Sequence, residues 1–165
     1  MEKSEKLSLI ERFQSSIATA IDFVASAPPD AIDFRPSLAG AWTIRDHAVH
    51  LLDADTFAYA RLRLAVTQPG NEVLVWNEEA WQERARYESA DPLACLQAAQ
   101  SLRRVVADMA KALADADWEA FHIRHPQRGR MTLVDVFKLY IDHVGFHMGY
   151  FSRNLEAYRK AAKKP

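Results

Sequence analysis

The chain reads as an all-α protein, a four-helix bundle with a long connection between its second and third helices. Three observations carry this reading. Four long segments place apolar residues at helical spacing; only five glycines occur in 165 residues; and the segment borders carry capping residues or proline. The length suits one domain spanning residues 1–165.

In the first segment Leu7, Ile10, Ile17, Ile21 and Val24 recur at helical spacing and predict one helix from about Ser4 to Ala27, stopped by Pro28 and Pro29. A loop through Phe34, Arg35, Pro36 and Gly40 leads to a second helix. Its start is marked by Thr43 with Asp46 three residues on, a capping box with Asp in the Glu place, and it runs to about Val66 before Gln68, Pro69 and Gly70. The connection of about twenty residues that follows carries a short helix at the bundle mouth, within Trp76 to Trp81. Asp91 caps a third helix with Pro92 at its first position, running to about Asp115. Trp118 to Arg130, with Pro126 and Gly129, reads as an irregular turn or small hairpin. Thr132 and Asp135 repeat the capping pattern, and the fourth helix continues past Tyr158.

Composition excludes several roles. A formal net charge of −1 supplies no field to hold a polyanion, so nucleic acid is not the expected partner. No apolar run reaches bilayer length, and Met1 to Lys6 lacks the apolar core of a signal peptide, so a cytoplasmic location is expected. Cys95, the single cysteine, allows neither an intramolecular disulfide nor a thiolate cluster. Set among Leu93, Leu96 and Ala98, it reads as a small buried hydrophobe.

Chemistry concentrates in the histidines. His143 and His147 stand one helical turn apart and can offer imidazole nitrogens to one point. Val136, Tyr140, His143, His147 and Phe151 fall within about 80° of one another around the helix, which turns both histidines into the bundle. His50, on the second helix, can join them if the two helices are neighbours. Three neutral imidazoles with positions left open suit a divalent metal with a chemical task. The competing reading is a pair of core histidines, each bonded to a buried polar group.

Trp42, Thr43, Arg45, His50, Leu51 and Asp53, then Trp76 to Trp81, then His125, Pro126 and Gly129, then His143 and His147, follow an order that resembles the DinB superfamily, and within it YfiT-like proteins; Arg35 and Pro36 fit it too. The resemblance spans nearly the whole chain. It implies a four-helix bundle, often paired as a homodimer, with a divalent metal, zinc or nickel, held by His50, His143 and His147. It implies a small-molecule substrate and one of two reactions: hydrolysis, or S-transfer with a low-molecular-weight thiol as cosubstrate. Lacking an evident protein base, the sequence leans towards thiol transfer. A non-catalytic metal- or ligand-binding dimeric bundle is the alternative.

Around this site, His47 is expected on the polar helix surface rather than as a fourth ligand, and Asp142 in solvent. Asp53, one turn from His50, either orients that imidazole or lies at the surface. His125 matches a position that shapes a loop. Trp42, Tyr140 and Tyr150 are candidate pocket walls.

Overall fold

A computed structural model describes residues 1–163. The elements in chain order are α1 (Lys3–Ser16), α2 (Ala18–Ser26), α3 (Pro29–Ile32), α4 (Ile44–Thr67), α5 (Glu78–Arg84), a single 3₁₀ turn (Tyr87–Ser89), α6 (Pro92–Ala112), β1 (His122–His125), β2 (Gly129–Thr132) and α7 (Leu133–Ala162). The α1/α2 pair, α4, α6 and α7 form the four-helix bundle. Helix α4 packs against α6 and α7, and α1 packs against the same two, so α1 stands diagonally across from α4. The 68–91 connection, which carries α5, is the long crossing between the second and third long helices.

The single first helix expected from Ser4 to Ala27 is broken at Ile17. The cause is a side chain inserted into the helical hydrogen-bond ladder. The Phe13 carbonyl, which Ile17 N–H would normally reach, instead accepts from Arg103 Nη1 at 2.9 Å and from Ser16 Oγ at 3.0 Å. Arg103 belongs to α6 and is 1% exposed. Its Nε and Nη2 donate to the two oxygens of Asp55 on α4 at 2.6 and 2.8 Å, and Nη2 also donates to the Tyr140 carbonyl on α7 at 3.1 Å. One guanidinium therefore joins all four walls of the bundle.

The other borders follow local chemistry. Both capping boxes form: Thr43 Oγ1 accepts from Asp46 N–H at 3.0 Å, and Thr132 Oγ1 accepts from Asp135 N–H at 3.3 Å. Helix α6 ends at Ala112 rather than near Asp115, because the carbonyls of Ala114 and Ala116 turn out to accept from Lys6 Nζ. The expected short helix in the connection starts at Glu78, capped by the Asn77 side chain, so that Trp76 precedes it and stacks on Phe57 at 4.0 Å. The turn expected over 118–130 is a hairpin spanning His122–Thr132, in which His122 pairs with Thr132 and His125 with Gly129. Gly129 takes φ +71, a left-handed conformation that only glycine adopts without cost.

Helices α4 and α7 run antiparallel along one seam. Asn154 Nδ2 donates to the Trp42 carbonyl at 2.7 Å near one end, and Arg61 Nη1 donates to Tyr140 Oη at 2.9 Å further along. Two apolar clusters flank the seam, one around Phe13, Leu62, Val106 and Phe137, the other around Ile17, Ile44, Leu51 and Phe151. The histidines lie between them.

Candidate metal centre

His50 projects from the second turn of α4, and His143 and His147 from successive turns of α7. The antiparallel seam brings the three together. His143 Nε2 lies 3.2 Å from His50 Nε2 and 3.0 Å from His147 Nε2, and the three nitrogens fall within 4.8 Å of one another. Nitrogens arranged tetrahedrally around a zinc-sized ion stand about 3.3 Å apart, so the two separations from His143 Nε2 match such an ion.

The chemistry of the donor set points the same way. One ring nitrogen carries either a proton or a lone pair, so in a neutral arrangement His143 Nε2 either donates to one neighbour alone or shares a single lone pair between two. Protonating the rings is no remedy. Burial, reinforced by the neighbouring His50 and Arg103 charges, pushes His143 down to about 3; burial alone pushes His50 down to about 4. His147 falls further, for burial and for the three imidazoles around it. The outward nitrogens, His50 Nδ1 and His143 Nδ1, are buried without a hydrogen-bond partner. A cation at the centre would use the three facing lone pairs together.

His47 is not on the helix surface. It is 5% exposed and stacks on Tyr150 with ring centroids 4.8 Å apart and planes 2° from parallel. Its Nδ1 lies 3.0 Å from His147 Nδ1. A His147 ring that keeps its lone pair on Nε2 carries its proton on Nδ1, and His47 Nδ1 is the acceptor placed for it. Burial lowers His47 to about 3, so it remains neutral and able to accept. The residue expected outside the site thus contacts a member of it from behind.

Asp53 does not orient His50. It accepts a hydrogen bond from the Tyr87 hydroxyl, supplied by the turn after α5, and His50 Nδ1 is left without a partner. Asp142 is exposed, as expected. Cys95 is half-buried rather than fully so, and burial raises its thiol pKa, which keeps it protonated. His125 Nδ1 accepts from Gln127 N–H at 3.2 Å and braces the hairpin turn.

The trio is open on one side. His143 and His147 reach a cavity of about 570 Å³ that is also lined by Trp42, Tyr150, Glu78 and Arg153. Trp42 and Tyr150 are therefore walls of this space; Tyr140 lines a second, smaller cavity beside His143. Glu78 Oε2 stands 3.6 Å from His50 Nε2, with its side chain 60% exposed. Sequence alone does not mark Glu78 as a site residue. Its only signal was its place in the acidic and aromatic connection between Trp76 and Trp81.

Fold and site together define a class, a helical bundle with a three-histidine cluster on its α4–α7 seam. The profile of the DinB superfamily matches residues 12–151, and the chain belongs to that superfamily. Within it the chain is YfiT-like. It is 22% identical to YfiT of Bacillus subtilis, provisionally named a metal-dependent hydrolase, over 92% of this chain and 83% of that protein. A Bacillus mycoides protein carrying the same provisional name is 27% identical over 87% of this chain and 79% of its own length. The solved structure of Bacillus subtilis YfiT, described as having an unusual four-helix bundle topology, superposes with a TM-score of 0.84. At 24% sequence identity it covers 99% of this chain and 91% of that one.

Proposed function

We propose that this chain is a metal-dependent enzyme acting on a small molecule, with a divalent metal, zinc or nickel, held by His50, His143 and His147, and that it is a hydrolase. The observation that carries the reading is the convergence of three imidazole Nε2 atoms beside an open cavity; among the described residues no buried fourth group closes the set, Glu78 standing 3.6 Å from His50 Nε2 with its side chain 60% exposed. A non-catalytic structural site would call for such a fourth ligand. Of the other nearby candidates, His47 is engaged with His147 and Asp53 with Tyr87. When bound, the metal supplies Lewis acidity and lowers the pKa of a water or thiol beside it.

The chain's own residues supply the rest. His47 holds the proton of His147 on Nδ1, leaving Nε2 free to ligate. Trp42 packs edge-on against His50 at 5.3 Å and covers the trio from one side. Glu78, within reach of His50 and exposed to the cavity, is placed to take a proton from an arriving nucleophile. The inclination towards thiol S-transfer rested on the want of a protein base, and Glu78 removes that argument. The provisional names of the relatives as metal-dependent hydrolases agree with hydrolysis.

Metal content by plasma mass spectrometry on the wild type beside His143→Ala tests the site. About one equivalent in the wild type, lost in the variant, is the expected result. Absence of metal after reconstitution overturns the reading. Glu78→Gln separates the base from the site: metal content stays, while kcat on an ester or amide substrate found by screening falls roughly 10²- to 10⁴-fold. An unchanged kcat removes Glu78 from the reaction.

A further inference from the structure

Arg61 and Arg103 are both buried arginines, 5% and 1% exposed, and they differ in one respect. Arg103 meets a carboxylate, Asp55. Arg61 meets none among the described residues: Nη1 donates to Tyr140 Oη at 2.9 Å, Nη2 donates to the Leu74 carbonyl at 2.7 Å, and Nε has no acceptor. The Phe57 and Trp76 rings lie 5.5 and 5.8 Å from its guanidinium carbon. Such π faces ease a buried cation but do not replace a counter-charge. A buried charge left in this state is normally compensated by something that binds there.

The surroundings say what. Arg61 lines a cavity of about 190 Å³ together with Trp76, Glu78, Arg128, Tyr140 and His143, so the space adjoins the histidine trio. The Trp76 indole N–H, like Arg61 Nε, is buried without an acceptor. The Tyr140 hydroxyl already accepts from Arg61 and has its own proton to give. The wall is thus rich in donors. Its fixed charges are Arg61, Arg128 and Glu78, one net positive, which matches a singly charged acceptor group. A phosphate monoester brings nearly two charges and would face the Glu78 carboxylate as well.

We propose that this cavity binds a carboxylate of the substrate, with Arg61 as counter-ion and Trp76 and Tyr140 as further donors, so that a bond a short distance from that carboxylate is presented at His143. The proposal rests on the metal-enzyme reading only in assigning the carboxylate to a substrate; the anion site itself does not depend on a metal.

The test titrates butyrate and its neutral isostere butyramide into the full-length protein, as purified and after treatment with chelator. The Trp76 indole N–H, assigned with Trp76→Phe, is followed by nitrogen–proton correlation NMR. The expected result is saturable binding of butyrate at least about tenfold tighter than butyramide, before and after metal removal. Binding should weaken in Arg61→Lys and vanish in Arg61→Met, with thermal unfolding confirming that both variants fold. Should Arg61→Met fail to fold, the butyrate and butyramide titrations of the wild type decide alone. Equal binding of the two, or wild-type binding by a folded Arg61→Met, overturns the site. So does a response that disappears on metal removal, which would put the carboxylate on the metal. Inorganic phosphate binding as tightly as butyrate overturns the carboxylate class. Butyrate binding in a protein that takes up no metal supports the anion site while the metalloenzyme reading falls.

Discussion

Replacing Asp55 with alanine should cost this fold more than any exposed charge substitution. Asp55 and Arg103 are each 1% exposed, and the carboxylate accepts two bonds from the guanidinium at 2.6 and 2.8 Å. Removing the acid takes away both charge-assisted bonds and leaves a cation sealed in the core, a loss of about 3–5 kcal/mol. In a chain of this length each kcal/mol corresponds to about 2–4 °C, so Tm should fall by roughly 6–20 °C. Urea unfolding followed by circular dichroism, with an unchanged slope against denaturant, measures the loss directly. A loss below about 1 kcal/mol, the range of exposed ion pairs, would refute the claim that this pair is desolvated and structurally required. The double variant Asp55→Leu/Arg103→Met sharpens the test, since removing both charges should restore much of the stability. It also frees the Phe13 carbonyl for Ile17 N–H, which should raise helical ellipticity by rejoining α1 and α2.

Metal-free protein should lose stability on acidification before its carboxylates titrate. Burial holds His47 and His143 at about 3 and His50 at about 4, whereas an unfolded histidine titrates near 6.5. Below that value the unfolded chain binds protons the native state refuses, so the stability present above about pH 6.5 is lost as pH falls towards 4. At pH 5 each histidine that stays neutral costs on the order of 2 kcal/mol; equal urea midpoints at about pH 7.5 and pH 5 would contradict this. His47→Ala should weaken zinc binding about 10- to 100-fold in a competition titration against a chelating dye. His47→Asn, which can present an oxygen to His147 Nδ1, should recover part of that loss, and wild-type affinity in His47→Ala would show that the contact behind His147 is inert.

How much of this was legible follows from what each feature depends on. Both Thr-x-x-Asp helix starts were readable because a capping box is decided within four residues. The break at Ile17 was not, because its cause lies on α6, some ninety residues away. It nevertheless left a trace. Asp55 interrupts the apolar stripe of Leu51, Ala58 and Leu62, and Arg103 interrupts that of Leu96, Ala99, Val106 and Ala110. Opposite charges set in two such stripes are the mark of a buried pair. Arg61 carried the same mark: eleven residues after His50, it returns to within about 20° of the same face of α4. A positive charge on the histidine face of that helix was there to be noticed.

The trio itself sits between these cases. His143 and His147 needed only the pitch of one helix, whereas His50 needed α4 and α7 to be neighbours, a fact of bundle order that periodicity does not contain. The family pattern supplied what geometry could not. Behind the trio, residue type alone misleads. His47 is a polar residue in a chain that could have shown it to solvent, and Asp53 is the acid one turn from a putting-together of imidazoles that lacks one. Yet His47 is the group that reaches an imidazole of the trio, because α4 presents it to His147 Nδ1 while Tyr150 stacks on its outer face. Asp53 turns instead to Tyr87, brought in by the turn after α5. An imidazole supported by another imidazole would add no charge behind a bound metal, unlike one supported by a carboxylate. A metal held this way would receive no negative charge from behind His147, and a carboxylate held by Arg61 would be drawn towards His143 and the open side of the trio, with Glu78 beside His50 opposing that pull.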